Sequence, residues 1–236
     1  MKKGFNAQLK ASARVILDGK HGFLAAITLL LTLCNVFFNY ILSSVFHGSG
    51  IFQLALQFIC SILINVILYL LFVGKQRLYL NLCRNEMYGY GDLFSSFTGH
   101  PEQIAIYSLI QYLMQTILFN SLIYLVSHVW FLGFYATIFA FLAYAAELIA
   151  FAFIQISLKF VLCLFVDQPY ITVKDAIKES IFMMKGRKWK LIRIYLSFIG
   201  MDVLVLLSFG IGSLFVEPYQ TVTLTLFYMD ARGETF

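Results

Sequence analysis

Long uncharged stretches separate the charged segments of this chain. No Asp, Glu, Lys or Arg occurs between Lys20 and Lys75, or between Glu102 and Glu147. Each stretch is long enough for two helices of about 20 residues, the length that crosses a bilayer. The pattern therefore predicts paired membrane-spanning helices joined by short charged segments.

The hydrophobic runs predict an all-α fold, a polytopic helical membrane bundle of about six transmembrane helices with an N-terminal interfacial amphipathic helix. In residues 5–18, apolar side chains alternate with lysine and arginine, which is typical of a helix lying in the membrane interface. An even number of spans places both termini on one side of the membrane, and a tight turn at residues 47–50 closes the first hairpin. The six spans are expected at residues 22–46, 51–74, 103–125, 131–166, 190–209 and 213–229.

The charged segments belong to a single membrane domain, residues 1–236. Residues 1–20 form its cytoplasmic amphipathic segment, and residues 75–102 and 167–193 form cytoplasmic connectors that mix charged with apolar side chains. At about 1.5 Å per residue the fourth span is longer than the hydrocarbon core is thick. We therefore expect it to tilt, bend or protrude into the cytoplasm.

Composition and charge support a membrane protein. The chain is 61% hydrophobic and 12% charged, whereas soluble proteins contain about 25% charged residues. Basic residues cluster in residues 2–20 and 174–193, next to predicted spans. Lysine and arginine at such positions mark the cytoplasmic side and attract anionic headgroups. The expected partner is thus the lipid bilayer with its anionic lipids, and no nucleic acid.

The residues that usually carry chemistry form no recognisable site. The four cysteines lack CxxC spacing, and the four histidines lack the spacing of metal ligands. The sequence contains no nucleophile paired with a base and no phosphate-binding loop. We therefore expect no cofactor, no metal and no enzymatic activity.

Polar side chains recur every three or four residues along several predicted spans, which keeps them on one face of each helix. Amides and hydroxyls are costly against lipid tails, so these faces should turn toward protein or trapped water. They either form hydrogen bonds between helices or line a wet cavity. The polar stripes are Thr28, Thr32, Asn35, Asn39 and Ser43 in span one, Gln53, Gln57, Ser61 and Asn65 in span two, Ser108, Gln111 and Gln115 in span three, and Glu217, Thr221, Thr225 and Tyr228 in span six.

Three acidic residues fall inside predicted spans. By rise per residue, Glu217, Asp202 and Glu147 should lie about 8, 12 and 24 Å below the outer surface. An ionisable group at such depth costs at least about 2.5 kcal/mol and indicates function by default. We hypothesise that these acids hold or relay a proton or bind a small cation; the alternative is a structural role. The candidate polar or ion site comprises Glu147, Asp202, Glu217, Thr221, Asn35, Gln57 and Asn65.

Two further features concern helix packing and anchoring. Small residues share the face of Glu147 in span four, which predicts a close packing seam there. Gly186 is suited to end a cytoplasmic helix, and the basic residues beside it should anchor span five at the headgroups or recognise anionic lipids specifically. The seam consists of Ala136, Ala140, Ala143 and Ala150, and the anchor of Lys185, Arg187, Lys188, Trp189 and Lys190.

A long string of residues at fixed spacing occupies the last part of the chain. It consists of Asp167, Pro169, Ala176, Ile177, Ser180, Met184, Lys185, Gly186, Lys188, Trp189, Leu196, Ser197, Phe198, Ile199, Gly200, Gly210, Ile211, Gly212, Pro218, Tyr219, Phe227 and Tyr228, with weaker similarity at Leu9, Ala11, Ala13, Asp92, Leu93 and Phe94. Through these residues the chain resembles a family of bacterial integral membrane proteins, the domain of unknown function 975. The resemblance implies a polytopic plasma-membrane protein related to the membrane domains beside some glycerophosphodiester phosphodiesterases, without their catalytic part. It implies no reaction, and Asp202 and Glu217 depart from the family pattern.

From these observations we expect a non-enzymatic multi-pass protein of the bacterial plasma membrane, with both termini cytoplasmic. It would act through its intramembrane polar core as an accessory or assembly partner in envelope homeostasis, with a membrane-protein partner or as a homo-oligomer. The alternative is a small transporter or channel for a cation, proton or small solute that uses the acidic residues in the bundle. A third hypothesis is a lipid-modifying enzyme with Glu147 or Asp202 as its base.

Overall fold

The computed structural model describes residues 4–46, 50–99, 101–128 and 133–234, and within these ranges the chain contains helices and turns but no strand. The predicted all-α class is confirmed. Residues 47–49 of the predicted first turn lie outside the described ranges. The helices are α1 (Phe5–Leu17), α2 (His21–Val45), α3 (Ile51–Cys83), α4 (Gly91–Thr98), α5 (Pro101–His128), α6 (Phe134–Ser157), α7 (Val161–Asp167), α8 (Val173–Met184), α9 (Lys188–Leu196), α10 (Ile199–Leu207) and α11 (Ser213–Arg232).

Four helical stretches are long and apolar enough to cross a membrane. They are α2, α3, α5 and the stretch from Tyr135 to Asp167, which combines α6 with α7. Their bounds follow the first four predicted spans, except that α3 continues beyond the predicted end at Gly74 to Cys83. No helix breaker follows Gly74, so the helix extends into the segment that was expected to be a connector.

The fourth stretch is interrupted near its end. α6 ends at Ser157, and α7 begins at Val161 after a turn that contains Lys159. In this turn the backbone N–H of Val161 donates to the carbonyl of Leu158 at 3.1 Å. Tightened turns of this kind accompany bends in long helices. The interruption therefore divides the span that was expected to be too long for the bilayer.

Side-chain packing is concentrated at one end of the bundle, which we call the packed end. Its core joins α1, the beginning of α2 and the last part of α3 with α7 and α11. α2 has no buried residue after Leu31, and α3 has none before Leu68. The opposite ends of these helices form the open end, where large apolar side chains such as Phe37 and Phe52 are exposed.

The predicted fifth and sixth spans are not confirmed as membrane crossings. The fifth divides into α9 and α10, which have nine residues each and are separated at Ser197 and Phe198. The sixth corresponds to α11, which contains Pro218 and begins at Ser213. Neither is among the described helices that could cross a membrane by length and composition.

α11 runs alongside the last part of α3 in the same direction. Gln76 Nε2 donates to Thr225 Oγ1 at 3.0 Å, and Arg84 just after α3 binds Glu234 just after α11. The two contacts are eight residues apart on one segment (76 to 84) and nine apart on the other (225 to 234). The two segments therefore run in the same direction.

The tip between α10 and α11, residues 208–212, stops well short of the open end. At 1.5 Å per residue, Gly212 lies about 20 Å from Thr225 along α11, whereas Ile51 lies about 38 Å from Gln76 along α3. The tip thus ends about 18 Å before α3 does. Its two large side chains, Phe209 and Ile211, are apolar and exposed, with Phe209 98% accessible.

α1 packs against α11 through one face. Leu9, Ala13 and Leu17, spaced four residues apart, are buried in the core of the packed end. Val15 is exposed because it lies on the opposite side of the helix. The helix is thus held by the chain itself as well as by any surface it meets.

α4 lies directly against α3 at a glycine. A Cβ atom at Gly74 would lie 2.1 Å from the backbone oxygen of Leu93, which is far closer than real contacts allow. The absence of a side chain therefore permits this approach of two backbones. The contact fixes α4 beside the part of α3 that carries the candidate site.

Candidate functional site

An ion pair joins α3 to α11 where the packed end begins. Lys75 Nζ lies 2.5 Å from Glu217 Oε1, and the two side chains are 5% and 40% exposed. Lys75 shares a helix face with Tyr79 and Leu82, which are both buried, so its position on α3 forces it inward. A buried ammonium without a partner is strongly destabilising, so Glu217 makes this burial possible.

A cavity of about 210 Å³ lies beside this pair, between α3, α7 and α11. Gln76 crosses it at one side, donating to Thr225 Oγ1 and to Cys163 Sγ at 3.3 Å. These bonds tie all three helices together around the cavity. The polar lining consists of Lys75, Gln76, Lys159, Glu217, Thr221 and Thr225.

The charged lining of this cavity is formally +1, since two lysines and one glutamate contribute to it. Lys159 has no acidic partner within the described ranges; its Nζ lies 5.9 Å from the centre of the Tyr195 ring. Glu217 is already neutralised by Lys75. The cavity therefore suits an anionic group better than the cation or proton that the acidic residues had suggested.

A second ionic cluster closes the packed end. Asp167 accepts hydrogen bonds from Arg84 Nη1 at 2.7 Å and from Tyr228 Oη at 2.6 Å, and it forms an ion pair with Arg232. Arg84 also donates to Glu234 at 2.8 Å. We call these five residues the Asp167 cluster. It ties together the ends of α3, α7 and α11.

The hydrogen bonds of this cluster further stabilise the charged form of Arg84. Hydrogen bonds to Glu234 and Asp167 raise the pKa of Arg84 above its usual value, and partial burial opposes them only in part. The charges of two arginines and two carboxylates balance. The cluster is therefore a structural ion-pair network that joins the helix ends, and it has no uncompensated charge for binding a ligand.

The three acids predicted to form one ladder have three different surroundings. Glu217 pairs with Lys75, and Asp202 Oδ1 accepts from Gln220 Nε2 at 2.7 Å in an exposed position. Glu147 is half-buried on α6, with no hydrogen bond or ion pair in the part of the chain that the structure describes. The contact with Lys75 is also incompatible with the predicted position of Glu217 near the outer surface, because the same prediction puts Lys75 just beyond the inner end of span two.

The remaining predicted site residues are spread over the bundle. Thr221 lines the cavity together with Glu217. Asn65 lines a groove between α3, α5 and α6, and Gln57 is half-buried farther along α3. Asn35 accepts a hydrogen bond from Asn39 on the same helix. The structure thus brings two of the predicted residues to one cavity and leaves the others apart.

Some polar residues of the stripes do form hydrogen bonds between helices. Gln155 Nε2 on α6 donates to Gln111 Oε1 on α5 at 2.7 Å. The hydroxyls of Ser61 on α3 and Tyr112 on α5 lie 2.8 Å apart. For these residues the bonding role that the sequence left open is confirmed. The predicted alanine seam on α6 is wrong within this chain, because Ala136, Ala143 and Ala150 are exposed.

Some residues of the predicted headgroup anchor pack against the protein, and the others are exposed. Arg187 Nη1 donates to the carbonyl of Ala231 at 2.7 Å, and Lys188 lies 3.7 Å from the centre of the Phe153 ring. Gly186 has a φ of 79°, directly after α8, as expected for a helix end. The more exposed members of the group are Lys185, Trp189 and Lys190.

Sequence reasoning missed the partners that define both charged sites. Lys75 was assigned to the connector 75–102 and Lys159 to span four, and neither was included in the candidate site. The shared face of Lys75 with Tyr79 and Leu82 was nevertheless a signal of burial. Nothing local could reveal the partners of Asp167, because Arg84 is 83 residues away in sequence. Among the described residues, no group of three His, Cys, Asp or Glu side chains could hold a metal ion.

Comparison with known proteins gives a family but no activity. Residues 1–234 match the model of a family described as protein of unknown function (DUF975). No curated protein matches the chain, and no solved structure does. Since the match covers nearly the whole sequence and agrees with the motifs around Asp167, Gly186 and Pro218, the chain belongs to the DUF975 family.

Proposed function

We propose that this chain is a non-enzymatic, multi-pass protein of the bacterial plasma membrane that assembles with other membrane-spanning helices, as an accessory component in envelope homeostasis. The observation that carries this proposal is the polar stripe of α2, which no helix in the described ranges covers. Beyond Leu31, α2 has no buried residue, although Asn35, Asn39 and Ser43 follow on one face.

The bonds within this stripe leave amide groups unsatisfied. Asn39 Nδ2 donates to the carbonyl and to the side-chain oxygen of Asn35 at 2.8 and 3.1 Å, and Ser43 donates to its own helix. The side-chain oxygen of Asn39 and the side-chain nitrogen of Asn35 have no described partner. Such groups are costly in hydrocarbon, and a further helix packed on this face would satisfy them.

The exposed alanine face of α6 supports the same proposal. Ala136, Ala143 and Ala150 are accessible, and Glu147 lies on the same face without a described partner. Small residues allow the backbone of a second helix to approach closely, and an unpaired carboxyl in a span favours a polar partner. Both uncovered faces belong to helices that are long enough to cross a membrane.

For the membrane itself we place the inner boundary at the level of Lys75 and Lys159. Lys75 is the first charge on α3, and Lys159 is the first charge after Glu147 on the fourth stretch. Basic residues mark the cytoplasmic side, so the packed end with both termini faces the cytoplasm. In this placement four helices cross, and the hairpin of α9, α10 and α11 enters and leaves on the inner side.

Cysteine labelling distinguishes this topology from six crossings. In a chain whose native cysteines are replaced by alanine, a membrane-impermeant maleimide added to intact cells should label Gly50→Cys and Gly133→Cys at the open end. It should not label Ile211→Cys at the hairpin tip, because about 18 Å of α3 extends beyond that tip. Met87→Cys should react only after permeabilisation. Labelling of Ile211→Cys on intact cells would establish a fifth and sixth crossing instead.

Replacing the amides of α2 tests the assembly. Asn35→Leu combined with Asn39→Leu should weaken association with copurifying membrane chains by about tenfold, since interhelical polar contacts contribute about 1 kcal/mol each. Quantitative crosslinking in native membranes measures this change. The matched control is Val36→Leu with Tyr40→Leu on the neighbouring apolar face. Equal loss in both variants, or a single uncrosslinked chain in the wild type, would contradict the proposal.

A further inference from the structure

We propose that the cavity between α3, α7 and α11 binds the phosphate group of an anionic phospholipid from the cytoplasmic leaflet, with Lys159 as its principal contact. The inference rests on the membrane placement proposed above. It adds a lipid-binding site to the proposed assembly function, which does not itself require a ligand.

The charge of the site defines the class of ligand. Lys75 is satisfied by Glu217 at 2.5 Å, so its charge is compensated inside the protein. Lys159 lines the same cavity, and its described neighbour is only the ring of Tyr195. One positive charge therefore remains available beside a hydroxyl from Thr221. Ammonium and hydroxyl groups together are typical ligands of phosphate oxygens.

The position of the site indicates where the phosphate comes from. Lys75 and Lys159 each end an uncharged stretch of a membrane-spanning helix, and both meet at this cavity. Lysine at the end of a span lies at the level of the headgroups, where anionic lipids of the cytoplasmic leaflet carry their phosphates. The phosphate of such a lipid would thus reach Lys159 while the lipid remains in the cytoplasmic leaflet.

The shape of the cavity also fits an amphiphile. Its volume of about 210 Å³ far exceeds the roughly 10–15 Å³ that holds one water, so it admits a polyatomic group. Phe72, Leu162 and Leu224 line it with apolar surface, and Phe72 is 40% exposed. The same opening therefore offers polar contacts to a headgroup and apolar contacts to the beginning of an acyl chain.

The test compares lipid selectivity in nanodiscs. The full chain is reconstituted in phosphatidylcholine with a minor fraction of phosphatidylglycerol, and the ratio of the two lipids retained on the protein is measured by native mass spectrometry. Lys159→Gln should lower the preference for phosphatidylglycerol by about tenfold, the effect of one charge-assisted hydrogen bond. Lys159→Arg should preserve it. Lys174→Gln, which removes an exposed charge on α8, should leave it unchanged.

Three outcomes would overturn the assignment. The first is an equal effect of Lys159→Gln and Lys174→Gln, which would indicate general surface charge. The second is displacement of the retained lipid by millimolar inorganic phosphate with the same dependence on Lys159, which would indicate a free anion. A preference for phosphatidylglycerol that Lys159→Gln leaves unchanged would likewise overturn this site, whereas the maleimide labelling described above tests the membrane placement separately.

Discussion

Replacing Gly74 by alanine is expected to lower the melting temperature of the detergent-solubilised protein by about 6–12 °C. The new Cβ would lie 2.1 Å from the backbone oxygen of Leu93, so α4 must move away from α3. Overpacking against backbone costs up to about 3 kcal/mol, and 1 kcal/mol corresponds to about 2–4 °C for a chain of this size. A thiol-reactive dye measures the transition as buried Cys83 and Cys163 become accessible.

The control for this change is another helical glycine. Gly200 lies in α10, and nothing lies within 4 Å of a Cβ built on it. Gly200→Ala should therefore leave the melting temperature unchanged or raise it slightly, since alanine favours helix by about 1 kcal/mol over glycine. If both substitutions lowered the melting temperature equally, the close approach of α3 and α4 would not be its cause.

The second large effect is expected from Asp167→Asn, which should lower the melting temperature by about 4–8 °C. Asp167 is 6% exposed and pairs with Arg84 and Arg232, which are 25% and 29% exposed. Breaking a fully buried ion pair costs about 3–5 kcal/mol. The partial exposure of both arginines and the retained contact with Glu234 reduce this to about 2 kcal/mol, which gives the expected shift.

A double-mutant cycle separates the cluster from a general charge effect. Arg84→Gln combined with Asp167→Asn should be less destabilising than the sum of the single changes by about 1 kcal/mol, because the two groups contact each other. Asp18→Asn, an exposed carboxyl at the end of α1, should change stability by less than about 0.5 kcal/mol. Strict additivity at Asp167 and Arg84 would show that they do not stabilise the fold as a pair.

The parts of this fold that follow from local pattern were predictable. The charge-free interval between Lys20 and Lys75 predicted two helices with a turn near residue 48, and α2 and α3 occupy these positions. Composition along a single helix was enough, because a span must satisfy its own backbone wherever it packs. The family could likewise be predicted, because its motifs lie at fixed spacing around Gly186 and Pro218.

The packing of these helices could not be predicted in the same way. Span six was placed by assuming that its hydrophobic run reached the outer surface, whereas its depth depends on which part of α3 it contacts. The pairs that fix this depth, Lys75 with Glu217 and Gln76 with Thr225, lie 142 and 149 residues apart in sequence. A single sequence carries no signal for such distant contacts.

Only part of the candidate site could be predicted, because its partners are also distant in sequence. The spacing of Glu217 and Thr221 correctly placed both on one face, and the structure puts both at one cavity. The sign of its charge was missed, because Lys75 was assigned to the connector 75–102 and Lys159, inside span four, was left out of the candidate site. The alanine pattern on α6 indicated a seam but could not reveal that no helix in the described part of the chain packs against it.

In the four-crossing arrangement proposed above, the half-depth hairpin of α9, α10 and α11 would give the molecule unequal cross-sections in the two leaflets. Four helices would pass through the outer monolayer, whereas the inner one would also accommodate the hairpin arms and the apolar tip around Phe209. A wedge of this kind relieves lateral stress where the monolayer that holds its wide side is stretched. Under that arrangement the protein should concentrate where the cytoplasmic monolayer is the stretched one.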